Sequence, residues 1–297
     1  MSILDEIKQS FKSGTTLIKL IYINVAVFVA VRIAYLIFYP LNSPVSSEDS
    51  FISWLAVPSN SDILLQRPWT ILTYMFLHED FMHILFNMLW LWWFGRIFLQ
   101  FLDQKKLLGI YFLGGISGAI FYILAFNIFP AFAYFVNFSI CMGASASIIA
   151  IVVAISFYIP DHKINLMFIG PVKLKYIALV SIGLDILSIK SENSGGHIAH
   201  LGGALYGLLY IMSFKKGKDF TKGLNNFLMS VFTWKNKSKK NQMHVSYKKP
   251  KTDMDYNAEK AKNQEEINKV LDKIAKSGYD SLTKQEKEIL FKESNKN

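Results

Sequence analysis

The sequence predicts an all-α membrane protein, a polytopic bundle of six transmembrane helices followed by a cytoplasmic helical tail. Three observations carry this. Of the 297 residues, 52% are hydrophobic and only 18% charged, less charge than a soluble domain of this length carries. The apolar residues gather before residue 214 in uncharged runs, close to the roughly 20 residues that a helix needs to cross a bilayer. The remaining charge sits where membrane topology would put it, with a lysine-rich block directly after the last run.

The elements follow in order. Residues 1–16 are polar and read as a cytoplasmic N-terminal segment. They lack a small-residue cleavage site, so no cleavable signal peptide is expected. The membrane domain covers 17–214, with spans near 17–39, 81–101, 107–127, 144–160, 172–190 and 197–214. The long loop 40–68 holds Glu48, Asp49 and Asp62 against Arg67 and reads as outside. Lys105 and Lys106 mark the next connection as inside. Residues 128–143 are uncharged and suit the outside, and Lys163, Lys173 and Lys175 return the chain to the inside. Lys190 and Glu192 cancel in the fifth loop. Six spans with both termini cytoplasmic fit every loop. Arg32 and Asp185 are charges within spans, read as structural pairing or snorkelling.

Gly114 with Gly118, and Gly203 with Gly207, repeat at four-residue spacing in the third and sixth spans. Such strips let lipid-embedded helices approach closely, so the bundle should be tight. Residues 215–251 carry 11 Lys against Asp219 alone. A block that basic beside a span points to anionic lipid, not nucleic acid. Within it, Leu224, Phe227, Leu228 and Val231 share one face of a helix expected on the inner membrane surface. Residues 252–297 read as a helical hairpin. Ile267, Val270, Leu271 and Ile274 repeat at helical spacing, Gly278 stops the first helix, and Thr283 with Glu286 forms a capping box for the second.

Polar residues inside spans are costly and tend to mark sites. The second span opens with "HILFN", placing His83 and Asn87 on one face. The fourth opens with "GASAS", containing Gly143 and Ser145. The sixth opens with "HIAHLGGALYG", containing His197, His200, Gly203 and Gly207. These three spans run in the same direction, so His83, Ser145 and His200 share one depth just below the outer surface. A serine hydroxyl needs a base, and His200 is the natural partner. Ser145 at a helix N-terminus has free N–H groups for a developing oxyanion, and His83 and Asn87 can add side-chain donors. His197 reads as an interfacial polar residue. The single cysteine, Cys141, rules out an intrachain disulfide and forms no metal pattern. "HEDFMH" has the wrong spacing for a zinc-binding helix, and the GxGD signature of aspartyl intramembrane proteases is missing.

"HILFN", "GAS" and "HLGGALYG", in this order across six spans, resemble a rhomboid intramembrane serine protease, supported by "RPWT" and "LWLWWFGR" around the second span. The resemblance covers 17–214, and the tail resembles extensions on some bacterial rhomboids. It implies a serine–histidine dyad without a third carboxylate: Ser145 as nucleophile, His200 as general base, and His83, Asn87 and the Ser145 N–H as oxyanion donors. It further implies no cofactor and no metal, transmembrane proteins as substrates, and a multi-pass position in a bacterial inner membrane. Two positions depart from the family pattern. Ala146 stands where the motif usually has Gly, and Ile149 where an aromatic often lies under the histidine. The rival readings are an inactive rhomboid-like protein that binds membrane-protein clients, and a channel or transporter. Both catalytic residues are present, which disfavours the first. The clustering of polar residues at one depth disfavours the second.

Overall fold

The computed structural model describes residues 3–38, 52–166, 169–233 and 253–294. The chain divides into two compact units, Met1–Asn236 and Lys237–Asn297.

In the first unit a short helix, α1 (Ile3–Ser13), leads into α2 (Thr16–Phe38). The remaining spans are α3 (Phe81–Phe101), α4 (Gln104–Ile128), α5 (Ser145–Tyr158), α6 (Leu174–Leu187) and α7 (Ser194–Lys215). Each expected span is a helix. Three of them, α2, α3 and α4, are long and apolar enough to cross a membrane by length and composition among the described residues, with mean hydropathies of 2.2, 1.3 and 2.0. The fourth and fifth are shorter than expected, at 14 residues each. Local chemistry sets those limits. Gly143, at φ 131°, forbids a helical start before Ala144. Lys163–Leu166 (β3) pairs antiparallel with Gly170–Lys173 (β4), which uses up the chain before α6.

The helices expose apolar residues that a soluble protein would hide. Ile33, Leu36 and Ile37 of α2 and Val180, Leu184 and Leu187 of α6 all face outward. This is the surface a lipid tail would cover, where burial inside the protein gains nothing. The centre is different. From Ala150 to Ser156 every residue of α5 is buried, so α5 is the axis of the bundle.

Glycine makes that possible. A Cβ on Gly203 would lie 2.1 Å from the Ala146 carbonyl oxygen, and one on Gly207 would lie 2.3 Å from that of Ala150. From the other side, a Cβ on Gly114 would meet the Ala150 Cβ at 2.3 Å, and one on Gly118 the Ala146 Cβ at 2.6 Å. The two strips read from the sequence therefore clamp α5 between α4 and α7.

Buried polar groups brace the same region. The Tyr111 hydroxyl donates to the Met75 carbonyl at 3.0 Å and accepts from the Asn24 amide at 3.0 Å. Before α3, Arg67 donates to the Ser53 carbonyl at 3.0 Å and lies 4.1 Å from the Trp54 ring centroid, and Trp69 donates to the Trp54 carbonyl at 2.8 Å. Arg32, expected to pair structurally or to snorkel, donates to the Glu79 carbonyl.

After α7, Asp219 accepts from the Thr221 N–H and hydroxyl at 3.0 and 2.6 Å and starts α8 (Thr221–Thr233). Thr221 and Asn225 are the buried side of α8, and Asn225 donates to the Lys105 carbonyl at 3.1 Å. Phe227 is exposed. The side chains of Leu228 and Val231, residues 39–51, and residues 234–252, which carry seven of the 11 lysines of the basic block, lie outside the described residues.

In the second unit, α9 (Asp253–Ser277) ends at Gly278, whose φ of 75° suits glycine, and α10 (Lys284–Ser294) follows. The capping box forms as expected. The Thr283 N–H donates to Glu286 at 2.7 Å, and Lys273 of α9 reaches the same carboxylate at 2.9 Å. Together they hold the Glu286 carboxyl down to about 2, the lysine first and the Thr283 N–H next.

Candidate active site

The approach to α5 is pinned from two sides. Val57–Pro58 (β1) pairs with Ile140–Cys141 (β2), and the Gly143 N–H donates to the Tyr74 carbonyl at 2.9 Å. Ser145 is therefore delivered as the first residue of a fixed helix. No side chain caps that helix end, so its leading N–H groups are free for an external acceptor.

His200 on α7 meets Ser145 directly. Its Nε2 lies 2.6 Å from the Ser145 Oγ, well inside hydrogen-bonding distance. Ser147, two residues on, is fully buried and faces elsewhere. A Cβ on Gly115 would lie 2.5 Å from its Oγ, so the hydroxyl points to α4.

His83 enters from α3. Asp80 caps this helix by accepting from the His83 N–H at 2.8 Å, a bond that holds the Asp80 carboxyl below its usual range. The Glu79 N–H donates to His83 Nδ1 at 3.4 Å. With that lone pair occupied, the neutral ring carries its proton on Nε2. A Cβ on Gly143 would sit 3.0 Å from this Nε2 and 3.4 Å from the Ser145 Oγ. The missing side chain thus leaves a gap bordered by the serine hydroxyl and an N–H donor. His78, in the turn before α3, packs edge-on against His83 at 5.1 Å. Burial, with His83 alongside, pushes His78 down to about 4, so it places no positive charge there at neutral pH.

Of the residues singled out in the sequence, Ser145, His200, His83 and Gly143 come together. Gly203 and Gly207 act one step back, by admitting α7 to α5. Asn87 is buried on α3, but its amide donates to the His83 carbonyl of its own helix at 2.9 Å. One of its two N–H donors is thereby spent on the backbone.

One expectation needs correction. His200 does have a carboxylate partner: its Nδ1 lies 2.8 Å from the Asp185 Oδ1. His197, expected as an interfacial polar group, reaches the same oxygen through its own Nδ1, also at 2.8 Å. The physical reason is the turn between α6 and α7, which brings Asp185, the one buried residue in the last turn of α6, against the first turns of α7. A sequence signal existed, since Asp185 is a lone acid within an apolar span, followed by two histidines. The donor atoms of Asp185, His197 and His200 lie within 4.8 Å of one another, a spacing that could also hold a metal ion. The hydrogen bonds occupy one Asp185 oxygen, the Nδ1 of each histidine and the Nε2 of His200.

Residues 65–216 match the rhomboid domain, and residues 251–296 match a family of unknown function, DUF6576. The chain is 30% identical over 161 residues to RHOMBOID-like protein 12, mitochondrial, of Arabidopsis thaliana, covering 51% of this chain and 48% of the relative. It is 30% identical over 165 residues to the rhomboid protease GlpG of Yersinia pseudotuberculosis, covering 56% and 54%. It is 29% identical over 139 residues to Rhomboid protein 1, mitochondrial, of Saccharomyces cerevisiae, covering 46% and 38%. The chain spans about half the length of the curated relatives it matches, or less. It is a multi-pass membrane protein, and since the rhomboid domain takes in just over half of its residues, Ser145, Asp185 and His200 among them, the chain belongs to the rhomboid family.

Proposed function

We propose that the chain is a serine-type endopeptidase that cuts transmembrane-anchored proteins near the outer face of a bacterial inner membrane. The observation that carries this is the 2.6 Å contact between His200 Nε2 and Ser145 Oγ at an uncapped helix start. In this reading the Ser145 Oγ attacks the scissile carbonyl carbon as His200 Nε2 takes its proton. The negative oxygen that forms lies in the gap beside Gly143, facing His83 Nε2–H and the Ser145 N–H. His200 then protonates the leaving amine, and water releases the acyl group by the reverse path. Asn87 contributes a donor through its remaining N–H.

The lysines support the orientation, with both termini cytoplasmic. Lys173 and Lys175 each pair with Asp161, at 2.8 and 3.0 Å. The topology rule counts basic residues rather than net charge, so this pairing does not weaken it. The membrane domain is 17–214, with 215–251 as a basic anchor and 252–297 as a separate hairpin.

The test is covalent trapping with a fluorophosphonate, followed by mapping of the labelled residue. The label is expected on Ser145. Ser145→Ala should abolish cleavage of a model single-span substrate, while Ser147→Ala cleaves at about the wild-type rate. The opposite pattern would make Ser147 the nucleophile. An unlabelled wild-type protein would favour a client-binding rhomboid without activity.

A further inference from the structure

Asp185 is a costly residue in its place. It lies towards the end of α6, a helix whose other buried residues are Leu174 and Ala178 and which otherwise turns apolar side chains outward. An ionised carboxylate among lipid-embedded helices is costly and persists when it is paired. Here the pairing is specific. One oxygen accepts from two imidazole rings, each through Nδ1 at 2.8 Å.

We propose that Asp185 is a positioning residue for the base, holding His200 in the tautomer that can accept the Ser145 proton. This rests on the catalytic reading of Ser145 and His200. A neutral imidazole carries one proton. With Nδ1–H directed at Asp185, the Nε2 lone pair is free, and it is the atom 2.6 Å from the Ser145 Oγ. Without the carboxylate, the ring can place its proton on Nε2 and lose its function as a base. Ile149, the half-buried residue one turn after Ser145, offers no polar group that could do the same.

The proton balance is simple. On attack, the Oγ–carbon bond forms and the Ser145 proton passes to His200 Nε2. The resulting imidazolium keeps its Nδ1–H on Asp185, which stays ionised throughout. When the carbon–nitrogen bond breaks, the Nε2 proton leaves with the amine. His197 shares the Asp185 oxygen, so it competes with His200 for the same acceptor. The ionisable groups around this set are therefore His197 and Asp185 for His200 on one side, and His83 of α3 on the other.

The experiment compares wild type, Asp185→Asn and Asp185→Glu as full chains in detergent. The readouts are kcat, KM and pH profile on a model single-span substrate, with fluorophosphonate labelling as a control. Removing the orienting carboxylate of a serine–histidine pair costs up to about 10,000-fold in kcat in soluble serine proteases. Asp185→Asn should lose about 100-fold or more in kcat with KM within about threefold. The acid limb of its pH profile should be displaced, and Asp185→Glu should recover part of the rate. An Asp185→Asn variant within about threefold of wild type, with an unmoved pH profile, overturns the proposal even though Ser145 is still labelled in wild type. Failure to label Ser145 in wild type instead removes the catalytic reading itself. Should Asp185→Asn not fold, nitrogen-15 NMR of histidines in the wild-type chain decides: a neutral His200 protonated on Nδ1 upholds the proposal, and one protonated on Nε2 ends it.

Discussion

Ser145 and Ser147 are neighbours on one helix, and their surroundings separate them. Ser145 faces a ring nitrogen at 2.6 Å, while Ser147 is sealed against α4. If the hydroxyl and the ring act as one device, removing either should remove the whole effect. His200→Ala is therefore expected to be as inactive as Ser145→Ala, with the double variant no worse. Single-turnover cleavage rates measure this, and a near-wild-type rate for His200→Ala would exclude His200 as base. Asn87→Ala should be milder, at most the 100- to 1000-fold that one oxyanion donor supplies. Most of this site was legible in the sequence. His83, Ser145 and His200 each open a span of the same direction, so topology alone brings them to one level. Asp185 was visible as a charge out of place, but its partner was not. Twelve and fifteen residues separate it from His197 and His200, and spacing across a turn does not fix which helix faces meet.

The helices carry the next layer of information. The glycine strips were legible because four-residue spacing is a property of one helix. Their partners were not, because which helix fills a groove depends on packing. The structure names them as Ala146 and Ala150. This also accounts for Ala146, where the family motif usually has glycine: its methyl faces Gly118, which has no side chain to oppose it. A Cβ on Gly114 would meet the Ala150 Cβ at 2.3 Å, with its next neighbours at 3.8 Å. Gly114→Ala should thus destabilise the bundle by about 1–3 kcal/mol, the usual cost of overpacking. Adding Ala150→Gly should restore much of the loss, as read by unfolding in detergent. If the double variant is less stable than Gly114→Ala, the contact is misassigned. The two short ribbons, β1–β2 and β3–β4, were not foreseen. Pairs of two to four residues leave no alternation to read. In the tail, by contrast, Thr283 and Glu286 were legible because a capping box is a local code. Glu286 titrates near 2 instead of its usual 4.5. A depressed carboxyl stabilises the folded state above its unfolded value and loses that contribution as pH falls through the folded one. Amide protection in Thr283–Glu288 should fade between about pH 4.5 and 2, and Glu286→Gln should show weakened protection already at pH 7 by hydrogen exchange.

At the level of the whole chain, every candidate site residue lies in the unit Met1–Asn236. The hairpin has its own cap, its own ion pair and its own family match at 251–296. Cleavage is accordingly expected to survive truncation near residue 251, which keeps the basic anchor. A truncated protein that folds, holds its orientation and yet cuts nothing would make the hairpin part of the enzyme. One dimension of the first unit has a broader effect. At 14 residues α5 is about 21 Å long, some 9 Å short of a hydrocarbon layer about 30 Å thick. Hydrolysis consumes water, which hydrocarbon scarcely holds. A full-length helix would lift Ser145 to the surface, away from any bond held in lipid. On the proposed reading, the short one would let the aqueous phase dip inward to meet the serine, while the alanine–glycine contacts close the bundle beneath it. Such a dip would end blind, so on that reading a cell could run the reaction continuously and still hold its ion gradients.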